Sequence, residues 1–238
     1  MYSIHSLYRA IDKTSAIVFD GDGTLWKGRW LEGLGYRYMK RSIETHNYIK
    51  AVKGAVGAIR LRRLLREHQA SDTAETEGLM LFYDILVKNG LGERYYMANY
   101  AEWYMEKNRI WQTVDIVNLP CKFKIIATLG GSTGADSARA LFGLDESVSN
   151  IDIFDKNKLK GIKIVMADGE DKVRETWNKL CTYGIRLSDC TVIGDCIADI
   201  PMLVEGKVRI ASPEARPEVL AIPGIINLKE SLLHVSVA

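Results

Sequence analysis

Four apolar residues, Ala16-Ile17-Val18-Phe19, run without interruption into Asp20-Gly21-Asp22-Gly23-Thr24-Leu25. An apolar run that lacks polar alternation reads as a strand buried on both faces, as in a parallel sheet. Its stop at an acidic, glycine-rich turn suggests a functional loop, because ligands bind beyond the carboxyl ends of such strands. Three later stretches repeat the pattern. Phe123–Thr128 runs into Leu129-Gly130-Gly131, Cys190–Ile193 into Gly194-Asp195, and Val208–Ala211 into Ser212-Pro213. Amphipathic helical segments lie between them, at about Ser137–Phe142, Lys172–Tyr183 and Asp199–Val204. Strands alternating with helices predict an α/β fold with a Rossmann-like, mostly parallel sheet.

Residues 27–108 read differently. Helical patterns over Arg37–Val52, Ala58–His68, Ala74–Lys88 and Glu93–Lys107 are rich in Tyr, Leu and Arg and contain no convincing buried strand. They predict a small helical cap inserted after the first strand, with residues 1–26 and 109–238 as the core. A chain of 238 residues suffices for one α/β domain carrying such a module. Ile151–Phe154 and Lys163–Met166, joined through Asp155–Lys158, read as a hairpin attached to the sheet. Arg60, Arg62, Arg63 and Arg66 form either a solvated helix face or the source of one guanidinium that reaches a substrate. Tyr95, Tyr96, Trp103 and Tyr104 stand at helical spacing and read as cap core.

Asp20 and Asp22 lie two apart in the first acidic turn. A carboxylate can attack phosphorus to form an acyl phosphate. A second carboxylate beside it can protonate the leaving alkoxide and then activate water. Asp195 and Asp199 form another acidic turn, after a different strand. Four carboxylates at one sheet edge repel, which raises pKa values and calls for a hard divalent cation. Mg2+ suits a few carboxylates combined with substrate phosphate and water. Thr128, with Ser132 as a rival, and the backbone of Leu129, Gly130 and Gly131 offer hydrogen bonds to phosphoryl oxygens. Lys172, with Lys158 and Lys160 as rivals, starts a helix from which an ammonium can neutralise nucleophile and phosphoryl together. The stretch Gly130–Gly134 lacks the Gly-Lys-Ser/Thr ending of a P-loop.

The charge balance excludes some partners. With 32 Lys and Arg against 30 Asp and Glu, the net charge of +2 gives no case for nucleic acid or a membrane surface. Cys121, Cys181, Cys190 and Cys196 form no CxxC pair, which predicts free thiols rather than a zinc or redox centre. The four histidines are scattered and suggest no triad. Without an apolar leader or a bilayer-length segment, a cytoplasmic location is the expectation. Oligomeric state stays open, a homodimer included.

Taken in order, these motifs make the chain resemble the haloacid dehalogenase-like hydrolase superfamily. Asp20-Gly-Asp22-Gly-Thr24-Leu25 matches that family's first motif and Thr128 its second. Lys172 fits the third, and Gly194-Asp195 with Asp199 the fourth. The resemblance implies Asp20 as nucleophile, Asp22 as general acid/base, and Thr128 and Lys172 as phosphate ligands. It implies Mg2+ held by Asp20, the Asp22 carbonyl and Asp195, with Asp199 contributing directly or through water. The second aspartate favours a phosphatase of small phosphomonoesters over a dehalogenase. A phosphotransferase or phosphomutase, or a metal-binding regulatory relative without turnover, is the alternative. The helical insertion is similar to the cap of the phosphoserine phosphatase-like subgroup. That subgroup, however, carries a glutamate shortly after the first motif to read the substrate amino group. Here the stretch is Trp26-Lys27-Gly28-Arg29-Trp30, which turns the expectation from phosphoserine toward a more acidic or a ring-bearing substrate.

Overall fold

The computed structural model describes residues 4–46, 48–49, 51–52, 55–56, 59, 72–120 and 122–231. Its strands are β1 (Ala16–Phe19), β2 (Phe123–Gly131), β3 (Glu146–Asp155), β4 (Lys158–Lys163), β5 (Cys190–Gly194), β6 (Val208–Ala211) and β7 (Ile226–Asn227). They form one seven-stranded sheet in the order β4-β3-β2-β1-β5-β6-β7. The β3–β4 pair is antiparallel and every other pair is parallel. This is the expected α/β architecture, and β1 occupies its middle.

The central position explains why β1 is apolar throughout. Ile17 and Phe19 enter one buried cluster, together with Leu7 and Ile11 of helix α1 (Ile4–Ile11). Ala16 and Val18 enter the cluster on the other face, with Leu180, Leu187, Met202 and Leu203. Burying each large side chain is worth about 1.5–3 kcal/mol, so both faces demand hydrocarbon.

Between β1 and β2 the chain forms α2 (Trp30–Glu44), α3 (Asp72–Lys88), α4 (Arg94–Lys107) and α5 (Trp111–Val117). It leaves and returns side by side, since Lys27 N donates to Asn108 O (2.8 Å) and Ile110 N to Leu25 O (3.0 Å). Leu34, Tyr38, Phe82, Leu86, Met97 and Met105 of these helices share the cluster that holds Ile17 and Phe19. The insertion therefore has apolar continuity with one face of the sheet. Tyr96 and Tyr104 pack against this cluster, whereas Tyr95 and Trp103 are exposed.

Several boundaries differ from the sequence expectation. Helix α2 starts at Trp30 and ends at Glu44, rather than spanning Arg37–Val52. Buried Trp30, Leu34 and Tyr38 recur every four residues, so they define the inner stripe better than the later arginines do. Of the expected helix over 58–68 only Ile59 is among the described residues, and Arg60, Arg62, Arg63 and Arg66 lie outside them. Helix α5 and the first half of β3 were not anticipated. Glu146–Asn150 is polar in sequence, yet it pairs parallel to β2. The hairpin turns tightly at Lys156 (φ 55°), so β4 is Lys158–Lys163 rather than Lys163–Met166.

Candidate active site

The parallel register brings three strand ends together. Phe19 pairs with Ile126 of β2 and Ile193 of β5, so Asp20, Thr128 and Asp195 follow at one edge of the sheet. Asp20 N continues the ladder by donating to Ile193 O (2.9 Å). Beyond it the chain folds tightly: Leu25 N donates to Gly21 O (2.9 Å) and Gly23 N to Trp26 O (2.7 Å). Gly23 is left-handed, with φ +82°, and a Cβ there would overlap the Asp195 carboxylate. Glycine is needed at this position on both counts. From the end of β6, Ser212 Oγ donates to Gly23 O (2.7 Å) and fixes the turn to the neighbouring strand.

Helix α6 (Ser132–Phe142) follows β2 directly, and helix α7 (Gly169–Cys181) delivers Lys172. Asp168 caps this helix, its carboxylate accepting from Asp171 N at 2.9 Å. Such caps favour a helix start by about 1 kcal/mol. Lys172 is only 1% exposed. Its ammonium donates to Asp20 Oδ1 and to Asp199 Oδ1, both at 2.6 Å. The other oxygen of Asp199 accepts from Asp195 N (2.9 Å), Cys196 N (3.1 Å) and the Cys196 thiol (3.4 Å). Both Asp199 oxygens are thus engaged in holding Lys172 and the Asp195 loop.

Electrostatics follow from this packing. Burial, then the Asp199 charge, raises the Asp20 carboxyl to about 6 against the opposing pull of Lys172. Burial and the charges of Asp20 and Asp199 push Asp195 well above the ordinary carboxylate range. Burial alone would lower Lys172, but Asp199 and Asp20 override it and hold the ammonium well above its usual value. Three carboxylates facing one ammonium leave a net charge of −2 when all are ionised. A divalent cation balances that charge. The Cys196 thiol, raised by burial and by the surrounding carboxylates, stays protonated. The remaining donors are hard oxygens, which suit Mg2+ rather than a thiophilic metal.

Asp22 is oriented from the core side. Trp26 Nε1 donates to Asp22 Oδ1 at 2.5 Å. Asp20, Asp22, Thr128, Leu129, Gly130, Lys172 and Asp195 all line one cavity of about 280 Å3, with Asp199 buried behind Lys172. Strand β2 runs on to Gly131, past the expected end at Thr128, and Thr128 Oγ1 accepts from Gly130 N (3.1 Å) where its register shifts. Its rival Ser132 faces the other way along the chain, accepting from Asp152 N at 3.1 Å.

Four contributors escaped the sequence reading. Trp26 lies one helical turn from Asp22, a spacing that could have flagged it. Ser212 ends an apolar strand, as Thr128 does. Arg216 lines the cavity, and its backbone N donates to Asp195 O (2.9 Å). Asn150 carried no signal. Completely buried, it donates to Leu129 O (2.7 Å) and Met166 O (3.0 Å) and accepts from Val165 N (2.7 Å) and Met166 N (2.8 Å). It links the end of β2 to the segment that leads into α7.

An acidic strand end, a buried lysine and a paired acidic loop meet at one edge of a Rossmann-like sheet. The haloacid dehalogenase-like hydrolase family model matches residues 14–206, and the chain belongs to that family. No curated protein matches the chain. Solved structures share the fold at low identity. A Bordetella pertussis Tohama I protein of unknown function superposes with a TM-score of 0.68 at 16% identity, covering 90% of this chain and 98% of that one. A HAD family hydrolase from Salmonella enterica serovar Typhi gives 0.61 at 16%, covering 90% and 68%. A phosphoserine phosphatase, solved as a phospho-aspartyl intermediate analogue, gives 0.58 at 19%, covering 92% and 98%. Among the described residues, no helix is long and apolar enough to cross a membrane.

Proposed function

We propose that this hydrolase is a Mg2+-dependent phosphatase of small phosphomonoesters that works through an aspartyl-phosphate intermediate on Asp20. The observation that carries this is the Lys172–Asp20 ion pair at 2.6 Å, set at the floor of a cavity that also holds Asp22, Thr128 and Asp195. Asp20 Oδ1 is held by the ammonium, which keeps the carboxylate ionised and in fixed orientation.

In the first step an Asp20 oxygen attacks phosphorus. The bond to the ester oxygen breaks, and protonated Asp22 passes its proton to the departing alkoxide. In the second step the Asp22 carboxylate takes a proton from water as the water oxygen attacks phosphorus. The Asp20–phosphorus bond then breaks, releasing phosphate and restoring the Asp20 carboxylate. In this reading Lys172, the Thr128 hydroxyl and the backbone of Leu129 and Gly130 bind the equatorial phosphoryl oxygens. Mg2+, held by Asp20, Asp195 and the Asp22 carbonyl, would screen phosphoryl charge. Asp199 acts through Lys172, whose ammonium it holds.

The test is Mg2+-dependent phosphate release from p-nitrophenyl phosphate by wild type and by Asp20→Asn. The variant should lose about 10^3-fold or more while keeping its thermal midpoint within a few degrees. Unchanged turnover would sink the mechanism. Phosphate release that drops when a sugar-phosphate acceptor is added, with the phosphoryl recovered on the acceptor, would identify a phosphotransferase instead.

A further inference from the structure

We propose that the substrate carries a second anionic group, a carboxylate or another phosphoryl, and that Arg29 recognises it. The proposal rests on the phosphatase reading above and deepens it. The cavity has two unlike parts. Its sheet-edge part holds Asp20, Asp22, Thr128, Lys172 and Asp195. The described residues that the insertion contributes are Gly28, Arg29, Leu31, Thr76, Gly78, Leu79 and Phe82, and Arg29 alone among them is charged. Leu31, Leu79 and Phe82 make an apolar wall. The Thr76 hydroxyl is committed to Ala167 O at 2.6 Å. The beyond-phosphoryl part therefore sets the Arg29 side chain beside a hydrocarbon surface and holds, among these residues, no carboxylate for a substrate ammonium.

The chain around Arg29 is fixed by its neighbours. Trp26 and Trp30, which flank it, are each 2% exposed. Trp30 packs so closely on Gly134 that a Cβ there would sit 2.6 Å from the indole nitrogen. Gly28 takes a left-handed turn, with φ +67°, directly before it. A side chain rooted on this fixed stretch starts from a defined point of the cavity wall, and a guanidinium can bind a carboxylate or phosphoryl through two parallel N–H···O bonds. Glu214, the cavity's carboxylate outside the aspartate cluster, is half-exposed and pairs with Lys27 at 3.2 Å. A volume of about 280 Å3 restricts the ligand to a small molecule.

The experiment uses esters matched in size and differing in the tail: phosphoglycolate, propane-1,3-diol bisphosphate, ethyl phosphate and phosphoethanolamine. With Mg2+, wild-type kcat/KM should favour one or both anionic-tailed esters over ethyl phosphate by about tenfold or more, with phosphoethanolamine last. The two anionic arms distinguish a carboxylate tail from a phosphoryl one. Arg29→Gln should erase the advantage mainly through KM, its loss on ethyl phosphate being much smaller than its loss on the preferred ester. Arg29→Lys should restore part of the advantage, and Arg29→Glu should move the preference toward phosphoethanolamine. Equal losses on every ester would assign Arg29 to the transferred phosphoryl and overturn the proposal, as would turnover with no tail preference. Calorimetric binding of the same compounds to Asp20→Asn separates the two levels. Tail-selective binding without any wild-type turnover would overturn the phosphatase reading but keep the recognition, and binding without selectivity would overturn the recognition.

Discussion

Trp26 Nε1 lies 2.5 Å from Asp22 Oδ1, so an indole buried in the core orients the second carboxylate of the acidic turn. The ring has little freedom. It is 2% exposed and stacks parallel to Phe142 at 6.3 Å between centroids. It also lies under Gly21, where an added Cβ would come within 2.9 Å of the indole. Replacing the indole with a phenyl ring removes the hydrogen bond while keeping an aromatic filler. Trp26→Phe should cost about 1–3 kcal/mol of stability. Alkyl phosphates, which need a proton on the leaving oxygen, should lose roughly tenfold or more in kcat, and p-nitrophenyl phosphate much less. In an Asp22→Asn background the same change should add nothing further. Additive losses in that double-mutant cycle would show that Trp26 does not act through Asp22.

Lys172 shares two carboxylates, and its removal leaves both buried without a counter-charge. Lys172→Met should destabilise the metal-free protein by about 3–5 kcal/mol, the usual consequence of breaking a buried pair from one side. It should also abolish turnover. Asp199→Asn should keep the fold better, yet lower kcat, because Lys172 loses one of the two groups that hold it. Urea unfolding and steady-state rates on both variants check this. Equal stability of Lys172→Met and wild type would remove the ion pair from the account.

The three strand ends at the site were legible because each follows a buried apolar run, and the parallel register then forces Asp20, Thr128 and Asp195 together. Lys172 was legible from the acidic helix start just before it. What stayed hidden depends on which side chains meet across elements. Asp199 reads from its spacing as a metal contributor, directly or through water, and the fold adds contacts that spacing cannot show, with Lys172 and two backbone amides against it. Glu146–Asn150 hid a strand because four of its five residues are polar and only Asn150 is fully buried, its amide bonded to backbone groups instead of packed on hydrocarbon. In the insertion, the arginines drew attention away from Trp30, which starts α2.

The site also dictates how stability responds to pH. Asp20 is raised to about 6, and Asp195 and Asp152 are raised as well, each chiefly by burial. A carboxyl whose folded pKa exceeds its unfolded one binds more protons when folded, so stability falls as pH rises through that window. The metal-free protein should therefore lose stability between about pH 4 and pH 6, on the order of 2–3 kcal/mol for Asp20 alone. Mg2+ reverses the preference by favouring ionised carboxylates, so it should stabilise more at pH 8 than at pH 5. Thermal midpoints across this range with and without Mg2+ test the linkage. A metal-free protein that gains stability from pH 5 to pH 8 would contradict it.

Gly23 has two reasons to be glycine, its φ of +82° and the Asp195 carboxylate where a Cβ would go. Gly23→Ala should push the two acidic turns apart, with a backbone cost of about 1 kcal/mol or more. Activity should fall by roughly 10^2-fold, since misplacement of about 1 Å has that effect. A Mg2+ titration by calorimetry should show weakened binding in parallel. Normal Mg2+ affinity in this variant would mean that Asp195 and the first turn are not jointly responsible for the metal.

Asn150 offers the sharpest separation of scaffold from chemistry. Its amide donates to Leu129 O and Met166 O and accepts from Val165 N and Met166 N, so one side chain satisfies four buried backbone groups. Leu129 follows Thr128 near the end of β2, and Met166 lies six residues before Lys172. Asn150 therefore ties the end of β2 to the segment before the lysine without lining the cavity. Asn150→Leu would strand all four groups, each costing about 1–3 kcal/mol if unrelieved, and should not fold at ambient temperature. Asn150→Asp keeps the acceptor but places carboxylate oxygen against two carbonyls. It should fold only where its carboxyl is protonated, with activity and thermal midpoint both recovering as pH is lowered from 8 to 5. A variant that folds equally well at both pH values and keeps full activity would show that the hub carries no positional information for the site.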